Sequence, residues 1–164
     1  MLIIRALHSC FAATQRVQSF KRGTMTTSSG LSLRERRDAI VQEHIAAEKA
    51  HDIARTIATF HHPRYELTPF CSVSDGGQAV HELLAGLFAT FPDFDIEHPR
   101  FYHADESVVV ECVVTGTRRR PFAGVPPTGR RIEVPLVGIF DFDGDLLMCE
   151  KVYFDLATFI RQLQ

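Results

Sequence analysis

From Leu33 onward the apolar positions of this chain recur first at helical spacing and then at strand spacing. Ile40, Ala47, Ala50, Ile53, Ala54, Ile57 and Ala58 mark one face of a helix. Arg36, Arg37, Asp38, Glu43, Glu48 and Lys49 fall on the face expected to be wet. Ser32-Leu33-Arg34-Glu35 fits a capping box at its start. The helix is expected to stop near Phe60, because Pro63 disfavours helical geometry at His62. A short strand around Tyr65-Glu66-Leu67 follows. Asp75-Gly76-Gly77 opens a second helix with Val80, Leu83, Leu84, Leu87, Phe88 and Phe91 as its stripe, closed by Pro92.

Beyond Pro92 the period shortens to two. Phe94 and Ile96 alternate with Asp93, Asp95 and Glu97, and Val108–Thr117 is rich in β-branched residues. Arg118–Gly129 reads as a Pro/Gly-rich loop. Arg130–Phe142 reads as a strand with Ile132, Val134, Leu136, Phe140 and Phe142 on one side. Asp143-Gly144 predicts a hairpin returning along Leu146–Phe154, and Asp155–Leu163 a short closing helix. Helices followed by meandering strands give an α+β fold, in which a curved antiparallel sheet wraps on the helices and encloses a core or a cavity.

Composition changes this picture little. The 164 residues are 45% hydrophobic and 23% charged, with a net charge of −2. That balance gives no field for a nucleic-acid partner. The apolar runs fall short of the ~20 residues a membrane helix needs, so a soluble protein is expected. Cys10, Cys71, Cys112 and Cys149 lie far apart, which fits reduced thiols and a cytoplasmic location. Residues 1–30 stand apart. They are basic, rich in Ser and Thr and free of acids, as in a transit peptide or a start codon placed upstream of Met25. Organelle targeting by residues 1–24 stays open, and the domain is expected over residues 31–164.

Gly116-Thr117 with Phe122-Ala123-Gly124-Val125-Pro126-Pro127-Thr128-Gly129-Arg130 resembles the G-T…F-x-G-x-P-P-T-G-[RK] segment of SnoaL-like polyketide cyclases. Glu150–Asp155 and Leu156…Phe159-Ile160-Arg161-Gln162-Leu163 are similar to that family's last strand and tail. The resemblance implies the cone-shaped α+β barrel of the nuclear-transport-factor-2-like superfamily and a homodimer through the sheet. It also implies metal-free aldol closure or isomerisation of a polyketide- or steroid-like carbonyl substrate, with an aspartate as general acid/base and no cofactor.

The tail motif places that role on Asp155, with Tyr153 on the same strand face as a donor to a developing enolate. Asp155 could equally cap the last helix, and Tyr153 could be a wall residue. His62, Arg118 and Phe101 are the candidate substrate-contacting residues. Glu111 and Glu150, inside apolar strands, are each either a pocket acid or an interface residue. The adjacent His61-His62 pair and the spacing of His44 and His51 lack a metal-binding arrangement, so no metal is expected. Val137 and Ile139 make a second apolar strand face, which suggests a covered surface. Two other functions stay open: a non-catalytic ligand-binding or dimerisation domain, and an epoxide hydrolase in which Arg118 and Asp155 supply part of an Asp-Arg-Asp set.

Overall fold

A computed structural model describes residues 30–121 and 126–164. The expected leader lies outside the described residues, as does Phe122–Val125 of the first motif. The chain runs α1 (Leu33–Lys49), α2 (Ile53–Ala58), β1 (Arg64–Leu67), a 3-10 turn (Thr68–Phe70), β2 (Ser72–Asp75) and α3 (Gly77–Thr90). It continues as β3 (Asp95–His103), β4 (Ser107–Thr117), β5 (Arg131–Asp143), β6 (Leu146–Phe154) and α4 (Leu156–Leu163).

The capping box forms as expected: Glu35 N–H donates to Ser32 Oγ at 3.3 Å and Ser32 N–H to Glu35 Oε2 at 2.7 Å. The single long helix does not. His51 takes a left-handed φ of 55°, and Asp52 caps a separate α2 by accepting from Arg55 N–H at 3.0 Å. The break is held because the His51 ring stacks on Phe88 with centroids 4.4 Å apart.

The wet face of α1 also needs correcting, since Arg37 and Glu48 are buried. Arg37 Nε donates to Gly144 O at 2.7 Å and Nη1 to Asp105 O at 2.9 Å, tying two hairpin turns to the helix. β2 was not expected: its Ser-Val-Ser-Asp sequence is mostly exposed and has no apolar alternation to reveal it.

The described strands form one curved, open sheet in the order β2-β1-β6-β5-β4-β3. β3 to β6 are successive antiparallel neighbours, as the sequence implied. β1 instead pairs parallel to β6, with Tyr65 opposite Glu150. The β5–β6 turn uses Gly144 at φ 61°. Alternation sends Val108, Val110, Cys112 and Val114 of β4 inward, with Ile132, Val134 and Phe140 of β5. α1, α3 and α4 cover that face. No described helix is long and apolar enough to cross a membrane.

Candidate active site

Between the concave sheet face and the helices lies a cavity of about 420 Å³. Nearly all its lining is hydrocarbon, including Leu83, Leu87, Phe91, Phe94, Val134, Phe154 and Phe159. Phe70 of the 3-10 turn and Gly86 of α3 are exposed residues of the lining. The ionisable carboxyls on the wall are Glu48 and Glu150, and Tyr65 lies beside them.

Three elements bring these groups together. Glu48 and His44 are one turn apart on the buried side of α1. Tyr65 comes from β1 and Glu150 from its parallel partner β6. His44 is fully enclosed, with Nδ1 2.7 Å from Thr59 Oγ1 and Nε2 2.8 Å from Tyr65 Oη. The Thr59 hydroxyl spends its proton on Thr56 O at 2.7 Å, and the Tyr65 hydroxyl spends its own on Glu48 Oε1 at 2.7 Å. Each hydroxyl has one proton, so both must accept from His44. With the protons so assigned, His44 is an imidazolium.

Electrostatics agree with that count. Burial is the largest influence on His44 and opposes its charge, but contacts to Glu150 and Glu48 outweigh it and lift the pKa to about 10. Glu150 Oε2 lies 3.1 Å from His44 Nε2, an ion-pair contact shut off from solvent. Burial pushes the Glu150 carboxyl up, the charge of Glu48 pushes it further, and His44 pulls back. Burial likewise holds Tyr65 well above its ordinary value, so it remains a neutral phenol. The Cys112 thiol on the same wall is pushed up to about 12, chiefly by burial and then by Glu150. It is a poor nucleophile near neutral pH.

His44, Glu48 and Glu150 each present a donor atom within 4.8 Å of the others, the separation a metal ion could bridge. Coordination through His44 Nε2 would require that nitrogen to lose its proton and leave Tyr65.

The residues singled out from the sequence lie elsewhere. Asp155 is exposed and caps α4, accepting from Thr158 N–H at 2.7 Å. Tyr153 is 40% exposed on the outer sheet face. His62 is exposed, its Nε2 2.6 Å from Asp75 Oδ1. Phe101 packs against the core without lining the cavity. Arg118 is completely buried near the loop after β4 and donates to Pro126 O; it too is absent from the cavity wall. Of the two strand acids left open, Glu150 is the pocket acid, while Glu111 is exposed and accepts from the Tyr102 hydroxyl at 3.0 Å. His44, Glu48 and Tyr65 were missed. The available signal was the 37, 41, 44, 45, 48 spacing on α1, a buried stripe hidden because three of its members are polar.

No curated protein matches the sequence significantly. Solved structures do. A candidate polyketide cyclase from Xanthomonas campestris pv. campestris superposes with a TM-score of 0.75 at 20% identity, covering 81% of this chain and 100% of that one. A candidate SnoaL-like polyketide cyclase from Jannaschia sp. CCS1 gives 0.71 at 19%, covering 85% and 97%. A protein of ketosteroid isomerase-like fold from Catenulispora acidiphila, solved with trimethylamine, gives 0.64 at 17%, covering 76% and 91%. These likenesses establish the fold as the nuclear-transport-factor-2-like α+β type. The family model for SnoaL-like polyketide cyclase matches residues 39–163, and the chain belongs to that family.

Proposed function

We infer that the protein is a small-molecule enzyme of the cyclase or isomerase type, moving a proton to and from carbon with Glu150. The observation that carries this reading is a fully enclosed carboxyl with a raised pKa on the wall of an otherwise apolar cavity. Ionised Glu150 takes a proton from carbon next to a carbonyl, breaking C–H and forming O–H, while the C–H electron pair passes into the enolate of the substrate. The protonated acid then returns that proton, either to another carbon of the same framework or to a receiving carbonyl oxygen after aldol closure. One carboxyl serves both steps, and a raised pKa suits it to both roles. His44 acts as a positioning residue: its positive charge keeps Glu150 from becoming too weak an acid to give the proton back. Tyr65 relays the same charge to Glu48. The family membership supports carbonyl chemistry of this class, with a polyketide- or steroid-like substrate.

Hydrogen–deuterium exchange at the carbon beside a ketone, followed by NMR in D₂O, tests this directly. Wild type should accelerate exchange, and Glu150→Gln should slow it by roughly 10²–10⁴-fold. An undiminished rate in the variant would remove Glu150 from the mechanism.

A further inference from the structure

We propose that apolar molecules enter and leave the cavity through a notch in α3 at Gly86, so that this residue sets how fast the cavity fills. The proposal rests on the cavity alone and is independent of the acid/base role of Glu150. Leu83 and Thr90 line the cavity from the same helix, three residues before Gly86 and four after it, so the three positions form one row along α3. The row carries a side chain at each end and none in the middle. Among the described residues of the lining, Gly86 and Phe70 are exposed, while the others are buried or half-buried. Gly86 therefore touches both the cavity and solvent. A Cβ built on it would meet no atom within 4 Å.

That empty space separates Gly86 from the glycines that packing demands. A Cβ on Gly116 would stand 3.0 Å from Phe91 Cβ, and one on Gly138 would stand 3.2 Å from the Phe140 ring. Nothing crowds Gly86, and its place inside a 14-residue helix asks for no left-handed backbone. Glycine in a helix interior is less favourable than alanine, because it loses more backbone freedom on folding. Neither packing nor backbone conformation explains it here, whereas an open passage does. The Thr90 hydroxyl donates to Gly86 O at 2.8 Å, which ties the peptide at the notch to its own helix. Phe70 is braced in a different way, its ring edge-on to Phe154 and Phe159 of the wall at centroid distances of 5.7 and 6.3 Å. Gly86 is thus the exposed lining position with nothing standing in it. A side chain there would have to swing aside at each passage, a barrier that slows entry and exit alike and leaves the bound state little changed.

Stopped-flow fluorescence of the full chain mixed with Prodan, an uncharged naphthalene dye that responds to apolar surroundings, tests this. Association should slow in the order wild type, Gly86→Ala, Gly86→Leu, with the leucine variant slower by roughly ten-fold or more. Dissociation should slow alongside, so that Kd changes much less than either rate. His81→Leu puts the same side chain on an exposed position of α3 outside the lining, and should leave both rates unchanged. Gly86→Ala should also raise the urea midpoint, because alanine favours the helix and its methyl meets nothing. Equal association rates in wild type and Gly86→Leu would overturn the proposal. So would a leucine variant weakened by faster dissociation alone, which would make Gly86 a piece of wall rather than a passage. Wild type that takes up no dye would deny the opening, and a Gly86→Ala protein less stable than wild type would deny the empty space; either result would also overturn it.

Discussion

His44 and Glu150 set the chemistry at the scale of single residues. A buried imidazolium is costly alone and is stable here because two carboxyls and two hydroxyls face it. Removing it leaves those acids buried without a counter-charge, so His44→Gln should destabilise the protein by about 3–5 kcal/mol in urea unfolding. The sign of the pH dependence follows from a folded pKa raised from 6.5 to about 10. The stabilisation from the His44 charge is complete below about 6.5 and is lost progressively as pH rises through about 10. Unfolding measured across that window should show the decline in wild type and a flatter profile in His44→Gln.

At the scale of elements, the family motifs turn out to be joints of the framework. A Cβ on Gly116 would meet Phe91 Cβ at 3.0 Å, so glycine lets the end of α3 lie directly on β4. Thr117 then grips Asp93 through its N–H at 2.6 Å and its hydroxyl at 2.7 Å. In the tail, Asp155 caps α4 and Gln162 clasps the Glu133 backbone with both its oxygen and its nitrogen. These joints hold Phe91 and Phe159 on the cavity wall. Gly116→Ala should therefore destabilise by roughly 1–3 kcal/mol in chemical denaturation, as overpacking does. Asp155→Ala should cost about 1 kcal/mol for the lost cap. Asp155→Asn, which can still cap, should keep both stability and exchange activity in the NMR assay. Motifs of this kind were legible in the sequence because backbone joints demand particular residue types at fixed offsets. The acid/base group was not, because it is assembled across α1, β1 and β6. Its geometry depends on a parallel β1–β6 pairing that no local pattern announces. Glu48 looked like solvated helix surface, and only burial distinguishes it from Glu43.

For the whole molecule, an open sheet curled over helices leaves one face enclosing the cavity and the other facing outward. Strand alternation read the inner face of β5 correctly, since its period is local. The outward face carries half-buried Val137 and Ile139 with exposed Tyr102 and Tyr153. We propose that a second copy covers it, with Tyr153→Glu shifting sedimentation toward the monomer; an unchanged sedimentation profile would contradict that. The central claim concerns the enclosed acid, and it can be tested without knowing the substrate. Infrared titration of the carboxylic-acid C=O stretch reads the proton on Glu150 itself. The account predicts an acid band that persists above the ordinary glutamate range of about 4.3 and vanishes in Glu150→Gln. A wild-type spectrum in which every carboxyl is ionised just above that range would contradict it.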